Sequence, residues 1–511
     1  MKELVLACDL GTGGLKGAVF AADGERLAET FEHYPTYYPG PSLHEQKPAE
    51  WWDALVRAMN TLLKQGAAAG FSAGDIKAIS LSGHSLGCIP VDEEGALLQD
   101  AVPLWSDGRA QDMARCFFRT VDEDGWYLRT GNGFPAPLYP LFKIMWLREH
   151  RPEIFARTHR ILGTKDYLNH LMTGRIATDP SYASGSGCYD LLQGDYAADV
   201  LSAAGLAVDL LPPVTPSASV VGPLLPEPAA ALGLHPGTAV VAGGVDNSCM
   251  ALGAQTFEDG DLFSSMGSSS WLTISAPRPV LDTRIRSYAF AHLAPGQFIS
   301  ATSIFSSGTT MDWARNRVLG DTASLAELEA CAAASPPGAR GLLMAPTLGG
   351  GTSLEGGAEV RGAYLGLSLD HDRSDLVRAA YEGVSYGLRV ALDALRGMTA
   401  IGDSMVAVGG GAKSSFWRQI LADILDIDVV KTSVDQEAAT LGAAAVAFRA
   451  MDLWSDFTPI RSIHKVESVS RPQAATRDLY AAGLGAYRVA ADQQRALSQQ
   501  LQAYRLIRAA G

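Results

Sequence analysis

The sequence is short of positive charge and of long apolar runs. Its 41 lysines and arginines stand against 55 acidic residues, and the formal charge of −14 argues against nucleic acid or an anionic membrane as the main partner. No apolar run approaches the roughly 18 residues that would indicate a membrane span. The N-terminus also has no basic region followed by an apolar core, so we expect a cytoplasmic protein.

Cysteine is scarce as well. The six cysteines are far apart and form neither CxxC pairs nor the cysteine and histidine spacing typical of zinc sites. We interpret them as core or incidental thiols, because free cysteine is among the most buried residue types.

Apolar residues are plentiful and predict an ordered globular chain. Hydrophobic residues make up 47% of the sequence and charged residues 19%, which excludes general disorder. At 511 residues the chain exceeds what one hydrophobic core supports. Two large domains are therefore expected.

The pattern of residues 4–33 predicts three strands joined by tight turns, an antiparallel meander. After the first turn, at residues 11–14, a β-rich segment follows instead of the helix that a dinucleotide fingerprint requires. Backbone N–H groups in such a turn can hold an anion, although an ordinary polar hairpin gives the same pattern. A carboxylate beside phosphates needs a cation, so Asp9 is predicted to hold Mg²⁺, directly or through water.

A second hairpin is predicted at residues 260–275. Strand-like segments flank a loop of small residues that includes Gly267, Ser268 and Ser269, and this loop could also hold a phosphate. The likeness to the first hairpin hints at a duplicated architecture, in which two related domains face one nucleotide across a cleft. Sequence identity between the halves is too low to establish duplication.

A third glycine cluster, residues 409–411, follows the strand-like residues 405–408 and leads into an amphipathic helix from about Ser414. A Walker A motif requires a glycine directly before its lysine, and Ala412 before Lys413 breaks that match. Glycines still allow a ligand to approach the backbone, and a helix N-terminus favours an anion. A plain strand-to-helix turn is the alternative.

The segment GGVDN, residues 243–247, places the Asp246 carboxylate after an apolar strand-like run that we expect to end at Ala242. The two glycines predict a turn. A carboxylate there can act as a base, although an isolated aspartate in a turn is more commonly a cap. Together with the phosphate loops it predicts phosphoryl transfer to a hydroxyl.

The chain resembles the FGGY carbohydrate kinases, especially their xylulokinase-like members. The motifs that carry the resemblance occur in the family's order: CDLGTGG (8–14), SGHSLG (82–87), WSDGR (105–109), GTKDYLNHLMTG (163–174), GGVDN (243–247), MGSSS (266–270) and VGGGAKSSFWRQILADIL (408–425). Residues 137–150 and 362–388 also look like the family signatures. Each motif alone is weak, but their order along nearly the whole chain is specific.

The resemblance implies two α/β domains of the actin and hexokinase type (ribonuclease H-like), with ATP and a sugar meeting in the cleft between them. It makes Asp246 the catalytic base and agrees with Asp9 as the ligand of Mg²⁺. The implied nucleotide-binding residues are Gly11, Thr12, Gly13, Gly267, Ser268, Ser269, Gly409, Gly410, Gly411, Ala412 and Lys413. A sugar hydroxyl would then attack the γ-phosphoryl group of ATP in line, and Asp246 would accept its proton.

The same resemblance places the sugar pocket mainly in the N-terminal domain. The implied sugar-binding residues are Ser85, Leu86, Trp105, Asp107, Asp246 and Asn247, although Trp105 alone would more often be a core residue. Xylulokinases typically have GQMHG where this chain has GHSLG, so Leu86 replaces a histidine that faces the substrate. His84 would share a face with Leu86 in a regular strand and could compensate.

D-xylulose is therefore the leading substrate, and another ketose or a polyol, such as ribulose or a sugar alcohol, is the alternative. Two other classes of function stay open: a non-catalytic sugar or nucleotide sensor, and an actin-like ATPase. The retained Asp9 and Asp246 argue against the sensor. The ATPase would not need the GGVDN base.

We expect an N-terminal domain at residues 1–251, a C-terminal domain at 252–451 and a mostly helical extension at 452–511. The composition of residues 477–508 predicts a terminal helix. That helix is a candidate contact in a homodimer.

Overall fold

The structure, a computed structural model, describes residues 3–509, so the outer ends of the first and last predicted domains, residues 1–2 and 510–511, lie outside the described residues. Within them the strands are β1 (Leu4–Leu10), β2 (Gly14–Ala21), β3 (Arg26–His33), β4 (Tyr37–Gly40), β5 (Leu43–Gln46), β6 (Ile76–Gly83), β7 (Ile89–Val91), β8 (Val102–Pro103), β9 (Arg160–Leu162), β10 (Tyr189–Asp190), β11 (Asp195–Tyr196), β12 (Val220–Pro223), β13 (Ala239–Val245), β14 (Leu262–Met266), β15 (Ser270–Ala276), β16 (Tyr288–Ala291), β17 (Phe298–Ile304), β18 (Leu343–Ala345), β19 (Ala363–Leu365), β20 (Ser404–Val408), β21 (Asp428–Thr432) and β22 (Val466–Ser470).

The α-helices are α1 (Pro48–Ala69), α2 (Gln111–Phe117), α3 (Glu123–Thr130), α4 (Pro140–His150), α5 (Pro152–Phe155), α6 (Thr164–Thr173), α7 (Pro180–Ala183), α8 (Ala198–Ala203), α9 (Pro226–Leu232), α10 (Asp246–Gly253), α11 (Gly308–Ala314), α12 (Leu325–Ala334), α13 (Arg373–Arg396), α14 (Ser415–Leu425), α15 (Ala438–Ala450), α16 (Pro459–Ile463) and α17 (Arg477–Ala509). The two large sheets and the helices around them make this an α/β fold, as predicted.

The first large sheet has the strand order β12-β13-β6-β1-β2-β3. Strands β1, β2 and β3 form the antiparallel meander predicted from the sequence, and β6 and β13 extend the sheet in parallel to β1. Strand β1 is buried along its whole length. This burial is expected of a strand that has neighbours on both edges and is covered on both faces.

The second large sheet, β16-β17-β15-β14-β20-β21-β22, repeats this arrangement. Its β14 and β15 form the predicted second hairpin, β20 and β21 run parallel to β14, and β17 and β22 are antiparallel to their neighbours. Six strands thus match the first sheet in order and direction. The duplication that the two hairpins hint at is visible in the topology.

Helices α10 and α15 cross at a point where both backbones come very close. A Cβ atom on Gly253 of α10 would lie 1.8 Å from the Ala438 carbonyl oxygen, and one on Gly442 of α15 would lie 1.9 Å from the Cys249 carbonyl oxygen. Only glycine allows such an approach. Because α10 begins with Asp246, the crossing fixes where that residue stands relative to the second half of the chain.

The segment after Met451 packs on both halves. Trp454 donates its indole N–H to the Ala22 carbonyl at 2.7 Å, and β22 forms an edge of the second sheet. The long helix α17 is anchored by Tyr480, whose hydroxyl donates to Glu382 at 2.9 Å. This segment therefore supplies a strand as well as helices.

Candidate active site

Asp246 lies at a strand-to-helix junction, and the predicted turn at Gly243 and Gly244 is wrong. Strand β13 continues through both glycines to Val245, and Asp246 is the first residue of α10. The strand accommodates the glycines as a bulge, because its pairing with β6 shifts between Val241 and Gly244, and Gly243 has φ 74°. Only glycine fits there, since a Cβ atom would lie 2.1 Å from the Leu81 carbonyl oxygen.

The Asp246 carboxylate is half-buried and held on one side. Its Oδ1 accepts hydrogen bonds from the Asn247 backbone N–H at 2.8 Å and from Asn247 Nδ2 at 2.9 Å. Burial, and then the negative charge of Asp9, raise the pKa of Asp246 to about 7. Near neutral pH this carboxylate can therefore both accept and release a proton.

Asp9 stands near the end of β1, opposite Lys16 of β2 and Ser82 of β6 in the sheet register. It is 8% exposed, and its Oδ1 accepts a hydrogen bond from Ser82 Oγ at 2.7 Å. Burial raises the pKa of Asp9 and outweighs the opposing effects of Ser82 and Lys16. The charge of Asp9 also raises the pKa of Asp246, so the two predicted functional carboxylates influence each other electrostatically.

The loop at residues 11–14 lies beside Asp9, and two side-chain hydrogen bonds to its backbone carbonyls fix its base. Tyr34 donates its hydroxyl to the Gly11 carbonyl at 2.5 Å, and Gln46 Nε2 donates to the Thr12 carbonyl at 2.7 Å. Thr12 and Gly13 are exposed at the tip, and apart from the two adjacent residues no atom of the described chain lies within 4 Å of a Cβ position on Gly13. The tip is thus free to approach a ligand while its base is fixed.

The loop at residues 267–269 joins β14 to β15 and is fixed by the start of α11. The Ser268 carbonyl accepts hydrogen bonds from the Ser307 and Thr309 N–H groups at 3.0 and 3.2 Å, and the Gly267 carbonyl accepts from Gly308 at 2.9 Å. Gly267 and Ser268 remain exposed. This loop occupies the place in the second sheet that residues 11–13 occupy in the first.

The third loop begins at Gly409, which has φ 94° and donates its N–H to Asp435 Oδ1 at 2.5 Å. Residues 410–413 form one 3-10 turn, and α14 begins at Ser415, close to the predicted start at about Ser414, with Ser414 as its N-cap. Ala412 is fully buried, whereas Lys413 is exposed. A nucleotide would therefore meet the backbone of this loop and not the Ala412 side chain.

The predicted sugar-binding residues differ widely in exposure. Trp105 is 36% exposed and donates its indole N–H to Thr12 Oγ1 at 3.0 Å, so it is not a core residue. Asp107 is fully buried and bonded to the Arg109 guanidinium and the His44 N–H. Burial alone would raise the pKa of Asp107, but Arg109 holds it below its usual range.

Leu86 is 1% exposed and packs in a hydrophobic cluster that includes Phe142. Strand β6 ends at Gly83, and Leu86 has φ 61°, so the regular alternation that would put His84 and Leu86 on one face does not continue. Ser85, between them, is 8% exposed. The compensation considered for His84 therefore cannot rest on a shared strand face.

His84 is itself buried, at 2% exposure, with its ring edge-on to Trp51 at a centroid distance of 5.6 Å. Neither ring nitrogen has a hydrogen-bond partner among the described residues. Burial lowers the pKa of His84 to about 4, so the ring is neutral at physiological pH.

A cavity of about 360 Å³ lies between residues 133–136 and 351–358. Its walls include Phe134 and Tyr288, whose rings stack at 4.1 Å, and the hydroxyl residues Thr302 and Ser303. Burial, and also the charge of Asp246, raise the pKa of Tyr288. None of the predicted sugar-binding residues is among the described residues that line this cavity.

Lys16 and Tyr288 belong to this site but were missed by sequence reasoning. Lys16 lies opposite Asp9 on β2, and its Nζ donates to the Gln436 carbonyl at 3.2 Å, across the two halves of the chain. The lysine of the GLKG segment was a detectable signal, since a cation beside a phosphate loop is chemically meaningful. Tyr288 gave no signal, because only the fold brings it near Asp246.

Within the described residues, no helix is long and apolar enough to span a membrane. The same part of the chain contains no group of three or more histidine, cysteine, aspartate or glutamate residues that could hold a metal ion by themselves.

Two family models match this chain: the N-terminal domain of the FGGY family of carbohydrate kinases over residues 4–253, and the C-terminal domain over residues 262–451. A xylulose kinase of Bacillus subtilis (strain 168) is 31% identical over 87% of this chain and 88% of its own, and a gluconokinase of the same organism is 28% identical over 88% of each chain. The crystal structure of a xylulose kinase from Rhodospirillum rubrum covers 97% of this chain and 100% of its own, with a TM-score of 0.90 and 26% identity. The chain belongs to the FGGY family of carbohydrate kinases.

Proposed function

We propose that this carbohydrate kinase transfers the γ-phosphoryl group of ATP to a hydroxyl of D-xylulose, with Asp246 as the general base. The observation that carries the proposal is the environment of Asp246, in which burial and Asp9 raise the pKa to about 7. A general base works best when its pKa lies near the operating pH. An ordinary exposed aspartate would be a much weaker base.

The chain's own residues divide the work. Asn247 binds Oδ1 of Asp246, and no hydrogen bond within the described chain uses Oδ2, which is then the oxygen that takes the proton of the sugar hydroxyl. The loops at residues 11–13 and 267–269 hold the phosphates through backbone N–H groups at their tips, because the Gly11 and Gly267 N–H groups already donate to the Gly14 and Ser269 carbonyls. Lys16 adds a positive charge next to the first loop.

The residues present also fit Mg²⁺. This ion usually takes one or two carboxylates and completes its shell with phosphate oxygens and waters. Asp9 offers one nearly buried carboxylate beside the first phosphate loop, and its raised pKa would fall again next to a cation. When bound, Mg²⁺ would neutralise charge on the phosphates.

The cavity next to Tyr288 favours a neutral acceptor. Its walls contain aromatic and aliphatic side chains together with hydroxyl groups, a lining that suits a sugar. Of its described lining residues Arg286 is the one cation, and its guanidinium already pairs with Asp124 at 2.6 Å. This favours a ketose over an aldonate such as gluconate. Another ketose or a polyol is the second candidate, because Leu86 stands where xylulokinases have histidine.

The test is sugar-stimulated, Mg²⁺-dependent ADP release across pentuloses, hexuloses, polyols and gluconate, with a blank that lacks sugar. D-xylulose should give the highest kcat/KM, and a higher value for gluconate would contradict the neutral pocket. Asp246→Asn should abolish sugar phosphorylation while leaving ATP binding largely intact. Near-normal turnover of that variant would remove Asp246 from the role of base.

A further inference from the structure

Three buried charges lie beside β13, the strand that directly precedes Asp246. The Nζ atom of Lys165, on α6, is 2.5 Å from Asp166 Oδ1 and 2.9 Å from Asp179 Oδ1. All three side chains are at most 1% exposed. Burying such groups costs several kcal/mol per ion, and well-packed apolar residues often stabilise a fold as well or better. Stability alone is thus a weak reason for this cluster.

The charges are engaged with one another. Burial alone would lower the pKa of Lys165, but the two carboxylates raise it above its usual range, so the ammonium group is charged. The ammonium also lies over the Tyr182 ring, 5.2 Å from its centroid. Lys165 therefore holds Asp179 in a fixed position.

From Asp179 the contacts lead to the backbone next to Asp246. Asp179 Oδ2 accepts hydrogen bonds from the Ser181 N–H at 3.0 Å, Ser181 Oγ at 2.5 Å and Ser217 Oγ at 2.7 Å. Because the Ser181 hydroxyl donates its hydrogen to the carboxylate, its oxygen is free to accept. It accepts the Val245 N–H at 2.9 Å, and Val245 directly precedes Asp246.

This contact lies where β13 has lost one of its two neighbouring strands. Strand β6 resumes its pairing after the bulge, at Gly244 and Val245, but β12 pairs with β13 only as far as Val241. The Val245 N–H is held by the Ser181 side chain. A buried ion pair gives that side chain a fixed hydrogen-bond direction.

We infer that Lys165, Asp179 and Ser181 are positioning residues that hold Asp246 in place for proton transfer by binding the Val245 backbone. This inference rests on the proposed role of Asp246 as the base. On this inference the buried charges contribute to catalysis, in addition to any contribution to folding.

The test compares Ser181→Ala with Ser217→Ala in the full-length protein. Both variants remove one hydroxyl donor from Asp179 Oδ2, but only Ser181→Ala removes the acceptor of the Val245 N–H. We expect Ser181→Ala to lower kcat about 10- to 100-fold, since small misplacements at a reacting centre cost that much. The KM values for ATP and sugar should stay close to wild type, and the acidic limb of the pH–rate profile should shift. Ser217→Ala should keep a near-normal kcat.

Thermal midpoints of both variants separate positioning from folding. Equal losses of kcat in the two variants, or a normal kcat and pH profile in a folded Ser181→Ala protein, would overturn the inference. If Ser181→Ala does not fold, Asp179→Asn takes its place. This variant removes the charge that faces Lys165 and should lower kcat in the same way. A normal kcat of Asp179→Asn would also overturn the inference. Asp246→Asn is measured alongside. An active Asp246→Asn protein contradicts the proposed base. An inactive Asp246→Asn protein together with a normal kcat of Ser181→Ala contradicts only the positioning role of Ser181.

Discussion

Replacing Asp246 with asparagine should stabilise the unliganded protein, although we expect the same change to abolish turnover. Burial, and secondarily the charge of Asp9, raise the pKa of Asp246 from 3.8 to about 7. The folded protein therefore keeps this proton at pH values where the unfolded chain has lost it. The raised pKa thus costs stability progressively as the pH rises from about 4 to 7, and the full cost applies above 7.

The size of the effect follows from the shift. Roughly three pKa units correspond to about 4 kcal/mol at 1.36 kcal/mol per unit. Because the carboxylate is only half-buried and solvent screens part of its charge, we expect about 2–3 kcal/mol to be gained by Asp246→Asn above pH 7. Asparagine keeps the shape of the side chain, so lost packing should offset little of this gain.

The assay is thermal unfolding of wild type and Asp246→Asn at pH 5 and pH 8, without ligands. An unfolding entropy of about 2.1 cal/mol/K per residue makes 1 kcal/mol worth about 1 °C in a chain of this length. The variant should melt about 2–3 °C higher than wild type at pH 8, and the gap should be narrower at pH 5. Asp259→Asn, at an exposed aspartate, is the control for the substitution itself and should melt close to wild type. A gap for Asp246→Asn that does not widen between pH 5 and pH 8 would refute the reasoning.

Two further predictions concern the phosphate loop and the helix crossing. Lys16→Met should raise the KM for ATP at least about tenfold and leave the KM for sugar unchanged, because a charge-assisted contact to phosphate is worth about 1.5–3 kcal/mol. Lys16→Arg keeps the charge and should retain part of the affinity for ATP. If the two variants have the same KM for ATP, the role of the charge is contradicted. Gly253→Ala should lower both the thermal midpoint and kcat. Its Cβ atom would collide with the Ala438 carbonyl oxygen and push α10, the helix that begins with Asp246, away from α15. Gly485→Ala, on α17 in open space, is the matched control, and a Gly253→Ala protein that behaves like it would show that the crossing tolerates displacement.

Local features of the fold could be predicted well from the sequence. The two predicted hairpins follow from short β-rich segments around glycine and serine turns, and the structure has both. The start of α14, predicted at about Ser414 and found at Ser415, follows in the same way from an amphipathic run. Such signals lie within about 20 residues of the feature that they predict.

Features that depend on distant partners could not be predicted. The glycines before Asp246 indicate a turn, but β6, more than 150 residues earlier in the chain, keeps them in a bulged strand. Leu86 gives no sign that its backbone turns into the left-handed region and buries the side chain. Ser181 resembles any other serine until the fold brings its hydroxyl to the Val245 N–H.

The repeated topology leaves a second aspartate at the junction that corresponds to Asp246. Strand β21 and helix α15 match β13 and α10, and Asp435 stands between them. Its Oδ1 binds the Gly409 N–H at 2.5 Å, and its Oδ2 lies 3.7 Å from Lys431 Nζ. In one half of the molecule this aspartate therefore fastens a glycine loop, whereas in the other half Asp246 is bonded through Oδ1 alone among the described residues. Two matching strand-to-helix junctions thus place an aspartate in different surroundings, and the proposed base is the one that keeps an oxygen unbonded.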